Sequence, residues 1–426
     1  MIIISAVKNK EIRKPKQVRT NNCKAILSMF RMQEVLQIGD IVKEVKLSKT
    51  TVSKIILSLV NKGLILSYGK GDSTEEGGKK PELFSLNAEY GYCLTVGIED
   101  ERIRCCLYDL GLKLVESAEK AIKKDQTLDY EEAINISVTL CEALLSKKKI
   151  GKEKVFAVSC YDAGIIDGEN GIISFPIKCP HWGRNLKFKE DFIKRYGYQI
   201  PVYVENGTRF SGYAEMLHLK ENNYSSCAVI YSSPKEPGVG GCIIRNQAII
   251  HGSNNFLGEF GHMVVNPNSR IKCACGNYGC MENEVSGQAL LRYAHEKCKE
   301  YPKSLLADNI KNQNLKVENI HEAANEGDEF ARSLLDRIVY YYSICIWNII
   351  VTNDPETVIL QGLPVNDNSY FISALRKKMY EVPFFGVAQK TSVQLSQLNY
   401  PLDELMHKGA ALYVCNEFLN DSSNYE

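Results

Sequence analysis

Residues 258–282 read GEFGHMVVNPNSRIKCACGNYGCME. One imidazole and three thiols, from His262, Cys273, Cys275 and Cys280, make up a closed tetrahedral donor set for Zn2+. With no open position, this is the structural rather than the catalytic form. The run from Cys273 to Cys280 is a knuckle, because Gly276 and Gly279 can take the backbone conformations that fold one thiolate back beside the others. The alternative is a loop of free thiols, in a chain whose fifteen cysteines are spread along its length. A disulfide is disfavoured, since adjacent pairing at this spacing is strained. A carboxylate stands near each end of the stretch, Glu259 and Glu282.

GEFGH followed by CACGNYGCME closely resembles the signature of the ROK family (repressors, open reading frames and sugar kinases). The resemblance extends over nearly all of the chain. It implies an α/β, actin-like or ribonuclease-H-type, two-lobed sugar-kinase-like domain over residues 91–426. One lobe would take roughly residues 91–205 plus the C-terminal helix, the other 206–400.

The rest of the chain bounds this reading. Its 426 residues are enough for two or three domains and a large core. The opening MIIISAV is too short for the apolar core of a signal peptide, and no apolar run approaches membrane-spanning length. Many cysteines without a secretion signal suit a reducing cytoplasm. Charge is divided unevenly. Residues 1–87 carry 16 Lys+Arg against 8 Asp+Glu, and the remainder carries 36 against 43. A small basic module on a larger acidic body points to nucleic acid at the N-terminus.

Residues 1–18 read as a flexible basic arm and 19–88 as a winged helix-turn-helix. A first helix is expected over 19–36. Asp40 is placed to cap a short helix running through Val45, Lys46 and Leu47 make the turn, and Ser48 caps the next helix. That helix has Val52, Ile55, Ile56 and Leu59 on one face at helical spacing. Its other face, with Ser48 at its start, carries Lys49, Thr50, Thr51, Ser53 and Lys54. These are short polar and basic side chains of the kind that reach bases and phosphates in the major groove. Gly63 stops the helix. Strands at 64–67 and 83–86 then flank a wing whose Gly77-Gly78-Lys79-Lys80-Pro81 resembles the wing of the ROK repressors, with lysine for arginine. Lys79 and Lys80 complete the predicted DNA-binding set.

From residue 91 strands alternate with helices, the pattern of an α/β protein. Helices are expected near 129–147, 281–298 and 316–350, with a closing helix around LMHKGAALYV.

The resemblance also says what a kinase of this family needs and this chain lacks. The first phosphate loop resembles Asp-x-Gly-Gly-Thr in the kinases, where this chain has Gly97-Ile98-Glu99-Asp100-Glu101-Arg102, without the glycine pair. The second survives in part as Gly238-Val239-Gly240-Gly241, for which a turn before a strand is the equal alternative. Where the kinases read Glu-Asn-Asp-Ala-Asn, with the aspartate as general base, this chain has Glu205-Asn206-Gly207-Thr208-Arg209. Gly207 cannot accept a proton, and loss of a positioned base costs about 10²–10⁴ in rate. Catalysis is therefore not expected. What the resemblance leaves is a sugar-binding cleft of Asn206, Glu259, His262 and Glu282. The expected protein is a carbohydrate-responsive repressor that binds operator DNA as a homodimer or higher oligomer. The alternative is an active sugar kinase with a DNA-binding head.

Overall fold

The computed structural model describes residues 15–33, 35–71, 80–99, 101–123, 127–219, 224–232, 238–382, 390–398 and 400–424. The N-terminal module is built on an apolar cluster of Cys23, Ile26, Leu27, Phe30, Ile41, Val52, Ile55, Ile56 and Leu59. Its first helix spans Pro15–Met32, four residues ahead of the expected start. Residues 15–18, assigned to the arm, are thus helical; residues 1–14 of that arm lie outside the described residues. The second helix, Ile38–Val45, begins with Gln37 at the N-cap and Asp40 inside its first turn, so the expected cap at Asp40 is corrected. Apolar packing of Ile41 holds this short helix. Lys46 makes the turn in the left-handed region at φ 53°. The third helix, Lys49–Asn61, follows.

A small sheet closes the module. Its strands are β1 (Leu36–Gln37), β2 (Ile65–Lys70) and β3 (Glu82–Leu86), in the order β1-β3-β2 with antiparallel pairing. Asn87 donates from Nδ2 to the carbonyl of Gly63 at 2.7 Å, which ties the end of the wing to the end of the third helix.

The first lobe holds a five-stranded sheet of β4 (Tyr92–Ile98), β5 (Arg102–Asp109), β6 (Leu114–Ala121), β7 (Val155–Asp162) and β10 (Val202–Asn206). A hairpin of β8 (Gly164–Asp167) and β9 (Ile172–Pro176) lies between the last two in sequence. The sheet order is β10-β7-β4-β5-β6. β4, β5 and β6 form an antiparallel meander, and β7 and β10 add in parallel. The second lobe repeats this plan with β11 (Ser226–Ser232), β12 (Val239–Arg245), β13 (Ala248–Ile250), β14 (Thr357–Gln361) and β15 (Ser392–Leu395), in the order β13-β12-β11-β14-β15. Again a three-stranded meander is followed by two parallel strands. Strands such as TVILQ are buried along their whole length, as parallel strands covered on both faces require.

Two expected helices are each two. Region 281–298 divides into Met281–Val285 and Gly287–Lys297, with Ser286 capping the second by accepting from Ala289 N. Region 316–350 divides at Gly327 (φ 97°) into Val317–Glu326 and Glu329–Asn353, the latter capped by Asp328. The expectation that no run is long and apolar enough to cross a membrane is corrected. Glu329–Asn353 has 25 residues, and its most apolar window has a mean hydropathy of 1.3. Half of that window is buried inside the protein, where Phe330, Leu334, Ile338, Tyr342, Ile346 and Ile349 join the main core cluster of the second lobe.

The C-terminal helix, Leu402–Asn420, packs on β4, β7 and helix Gly207–Ala214. A Cβ on Gly409 would collide with the carbonyl oxygen of Phe210, so only glycine permits this approach. Farther along, Ala411, Val414, Cys415 and Leu419 share one apolar cluster with the core of the N-terminal module.

Candidate ligand cleft, metal centre and nucleic-acid interface

The candidate nucleic-acid face is built first by a cap. Ser48 accepts from Thr51 N at 3.1 Å, and its hydroxyl lies 2.8 Å from that of Thr51. With Val52, Ile55, Ile56 and Leu59 buried, the outer face of the helix is left to Lys49, Thr50 and Lys54, all exposed, with Thr51 and Ser53 half-buried beside them. Lys80 is exposed at the base of the wing; Lys79 lies outside the described residues. Arg19, from the first helix, donates to Ser58 Oγ at 3.5 Å.

The knuckle brings its four predicted ligands together. The candidate donor atoms of His262, Cys273, Cys275 and Cys280 lie within 4.8 Å of one another. Cys273 Sγ is 3.5 Å from His262 Nδ1, and Cys275 Sγ is 3.6 Å from Cys280 Sγ. Backbone bonds shape the turn: Gly276 N donates to Cys273 O at 2.9 Å and Cys273 N to Asn277 O at 2.8 Å. Gly276 and Gly279 have φ of 93° and 76°, and a Cβ on Gly279 would collide with the carbonyl of Asn266. The knuckle is anchored by Glu284, which is buried, accepts from Asn266 Nδ2 at 3.0 Å and pairs with Arg337.

This donor set suits a soft tetrahedral cation. Burial, reinforced by the neighbouring Glu282 carboxylate, pushes the Cys273 thiol far above its usual range. Burial and the Cys275 thiol push Cys280 up to about 11. Burial also acts upward on Cys275, but the backbone N–H of Asn277 and the adjacent thiols outweigh it and lower that group. A bound cation therefore displaces thiol protons, and its retention weakens as pH falls.

The residues predicted to form the cleft gather where the end of β10 approaches the loop after β13. Asn206, expected as a sugar ligand, caps helix Gly207–Ala214: its Oδ1 accepts from Thr208 N at 2.8 Å, and its Nδ2 donates to Gly164 O at 2.8 Å. Glu259 is raised above the ordinary carboxylate range by burial, an effect opposed by Arg209 and His262. Its Oε1 is 3.5 Å from Arg209 Nη2. Glu282 lies in the first turn of helix Met281–Val285, 2.9 Å from Cys273 Sγ and 3.9 Å from His262 Nδ1. A cation held on Nδ1 would leave Nε2 as the other ring nitrogen of His262. The predicted cleft residues thus form one connected neighbourhood from Asn206 through Glu205 and Arg209 to Glu259, His262 and Glu282.

Residues that sequence reading passed over decide the chemistry of this neighbourhood. A Cβ on Gly207 would lie 2.9 Å from Met406 Sδ and 3.1 Å from Tyr161 Cδ2, so a larger side chain there has to displace the flexible end of Met406 and press on Tyr161. Tyr161 is buried at the end of β7, covers Gly97 and donates to Glu99 Oε1 at 3.0 Å. Arg102 binds Glu99 at 2.9 Å and Asp403 at 2.6 Å, and Arg104 binds the same Asp403 oxygen at 2.7 Å. Protein carboxylates and guanidiniums thus occupy the stretch expected to stand in place of the first phosphate loop. Of the second candidate loop, Gly240 and Gly241 belong to β12 and pair with β11. A Cβ on Gly241 would collide with the carbonyl oxygen of Val229 and lie 2.6 Å from the ring of Phe260, and one on Gly240 would lie 2.6 Å from Thr208 Oγ1, so close packing accounts for both glycines. Tyr161 and Met406 carried no sequence signal, because each is an ordinary apolar position in a strand or helix.

With fold and site in view, the chain belongs to the ROK family, whose family model matches residues 92–399. It is 25% identical to the xylose repressor of Bacillus subtilis (strain 168) over 333 residues, 78% of this chain and 79% of that protein. It is 30% identical to the glucokinase of Thermotoga maritima over 227 residues, 52% of this chain and 69% of that protein. Among solved structures, a ROK family transcriptional regulator described as a homologue of the E. coli Mlc protein superposes with a TM-score of 0.67 at 20% identity. That match covers 94% of this chain and 99% of the other, and it shows a shared fold of winged helix-turn-helix and two lobes.

Proposed function

We propose that this protein is a DNA-binding transcriptional regulator, a repressor of carbohydrate-utilisation genes, acting in the cytoplasm as a homodimer or higher oligomer. Its kinase-like domain binds a sugar effector without phosphorylating it. The observation that carries this reading is Gly207, whose surroundings are filled by Met406 and Tyr161 in a chain that also presents a capped, basic helix-turn-helix. The similarity to a xylose repressor supports it and puts pentoses among the first ligands to test.

In this reading Glu259, His262 and Glu282 hold sugar hydroxyls, for which carboxylates supply short charge-assisted bonds, and Asn206 shapes the wall. His262, Cys273, Cys275 and Cys280 hold Zn2+, which supplies a structural cross-link that sets the position of the imidazole. Ligand binding shifts the relation between the lobes, and with it the spacing of paired winged helices on the operator. Thermodynamic linkage makes the effect mutual, so sugar that weakens DNA binding is itself bound more weakly by the DNA complex.

The test is a fluorescence-anisotropy titration against DNA from the protein's own upstream region, with and without D-xylose, D-glucose and N-acetylglucosamine. Specific binding altered by one sugar is the expected result. Specific binding that ignores every sugar removes the sensor role. The glucokinase similarity keeps a second reading in view, an active sugar kinase. Sugar-dependent ATP turnover by the purified protein would establish that reading instead.

The metal assignment has its own check. Cys275→Ser is expected to lower zinc from one ion per chain to well below that by elemental analysis, and to lose thermal stability on the scale of a broken structural site. Full zinc content in the variant would remove Cys275 from the ligand set.

A further inference from the structure

A buried cation beside the predicted cleft residues makes bonds that cross between the lobes. Arg209, on helix Gly207–Ala214, has a side chain only 1% exposed. Its Nη1 donates to Glu205 Oε1 at 3.2 Å. Its Nη2 donates to the carbonyls of Asn255 at 2.5 Å and Leu257 at 3.3 Å, and lies 3.5 Å from Glu259 Oε1. Glu205 belongs to β10, an edge strand of the first sheet, whereas Asn255, Leu257 and Glu259 follow β13, an edge strand of the second. Glu205 is gripped a second time by His251 Nε2, from the start of that same loop.

The loop needs such a tie. Gly252, Asn255 and Gly258 all have left-handed backbones, with φ of 73°, 60° and 98°, and segment 252–259 is neither strand nor helix, its backbone bonds being turns such as Leu257 N to His251 O at 3.2 Å. A guanidinium suits the task because its planar fork serves two carbonyls and two carboxylates at once, where an ammonium is a single point donor. The flanking Glu205 and Glu259 offset the cost of burying the charge.

We propose that Arg209 is the positioning residue of the cleft. It latches loop 252–259 of the second lobe to β10 of the first, and so holds Glu259 where a ligand hydroxyl meets it. The second half of this statement rests on the sugar-binding reading above; the latch itself does not.

The test uses the zinc-loaded full chain. Hydrogen–deuterium exchange of the unliganded protein is compared for wild type, Arg209→Ala, Arg209→Lys and Glu205→Gln. Arg209→Ala is expected to raise amide exchange in 252–259 by about tenfold or more, as for a segment that opens locally. The rise should be confined to that loop and β10, and millimolar guanidinium should restore protection. Arg209→Lys should fail to restore it. Glu205→Gln keeps the side-chain shape and should loosen the same loop, which keeps the idea open to refutation should Arg209→Ala fold poorly. Unchanged exchange of 252–259 in Glu205→Gln, or a rise spread evenly over the chain with no guanidinium rescue, would overturn the latch.

Calorimetric titration with D-xylose and D-glucose gives the second arm. Weaker sugar binding in Arg209→Ala, restored by guanidinium, supports the positioning of Glu259; equal affinity in both proteins overturns it. Should wild type bind neither sugar, the sensor reading fails, while the exchange data still decide the latch.

Discussion

Thr50→Ala combined with Lys54→Ala is expected to weaken the proposed operator binding by about 10²-fold at fixed salt, on the scale of about 1–3 kcal/mol for each contact to a base edge. The two side chains are four residues apart on the exposed face of helix Lys49–Asn61, so they project side by side. Thr50 is a better probe than Thr51, because Thr51 is tied to Ser48 through its backbone N–H and its hydroxyl. Altering Thr51 would disturb the helix start as well as the DNA contact, a loss of about 0.5–2 kcal/mol for a cap. Anisotropy at two salt concentrations separates the two roles. A phosphate contact at Lys54 lowers the salt slope by about one, and a base contact relaxes sequence preference. Zinc content and sugar binding should be unchanged. Operator affinity equal to wild type would remove this helix from the reading role.

Gly207→Asp is expected to destabilise the protein and to restore no kinase activity. Overpacking a filled core costs about 1–3 kcal/mol. Here the new side chain meets Met406 Sδ and Tyr161 at 3.1 Å or less from its first carbon alone. Its carboxylate would also enter a buried position beside Glu205, which adds the cost of an unpaired buried charge. A lower melting temperature together with no sugar-dependent ATP turnover is the expected pair of results. Turnover in the variant would show that the phosphate-binding parts survive, and that Gly207 alone separates this chain from an enzyme. Gly207→Asp with Met406→Ala should recover part of the lost stability by clearing the space, and it should remain inactive because Tyr161, Glu99 and Arg102 still fill the stretch where phosphates would be held.

The helix-turn-helix was readable because its signals are local. A capping serine, four apolar residues at helical spacing and a basic outer face all lie within a few residues of Ser48. The knuckle was readable for the same reason, since the three cysteines with glycines between them need only a turn to converge, and His262 precedes the first of them by 11 residues. The misplaced cap at Asp40 shows the limit of this kind of reading. An acidic residue near a helix start suits either the cap or the first turn, and the packing of Ile41 chose the first turn. The two divided helices have the same cause: apolar periodicity runs on through Ser286 and Gly327, while the cap and the left-handed turn that interrupt it depend on single residues.

By itself the sequence determined what is carried by residue type and short spacing: an α/β body, a basic winged module, a His-Cys-Cys-Cys cluster and a glycine at position 207, where the resemblance implies a base in the kinases. Tertiary structure alone decided what occupies the vacated chemistry. Met406 and Tyr161 stand about 200 and 46 positions from Gly207, and Arg209 reaches a loop that begins more than 40 residues later. Such contacts leave no local pattern, because each of these residues obeys only the ordinary preference of its own helix or strand. They become visible when two sheets of the same plan, β10 and the closing helix bring them to one point.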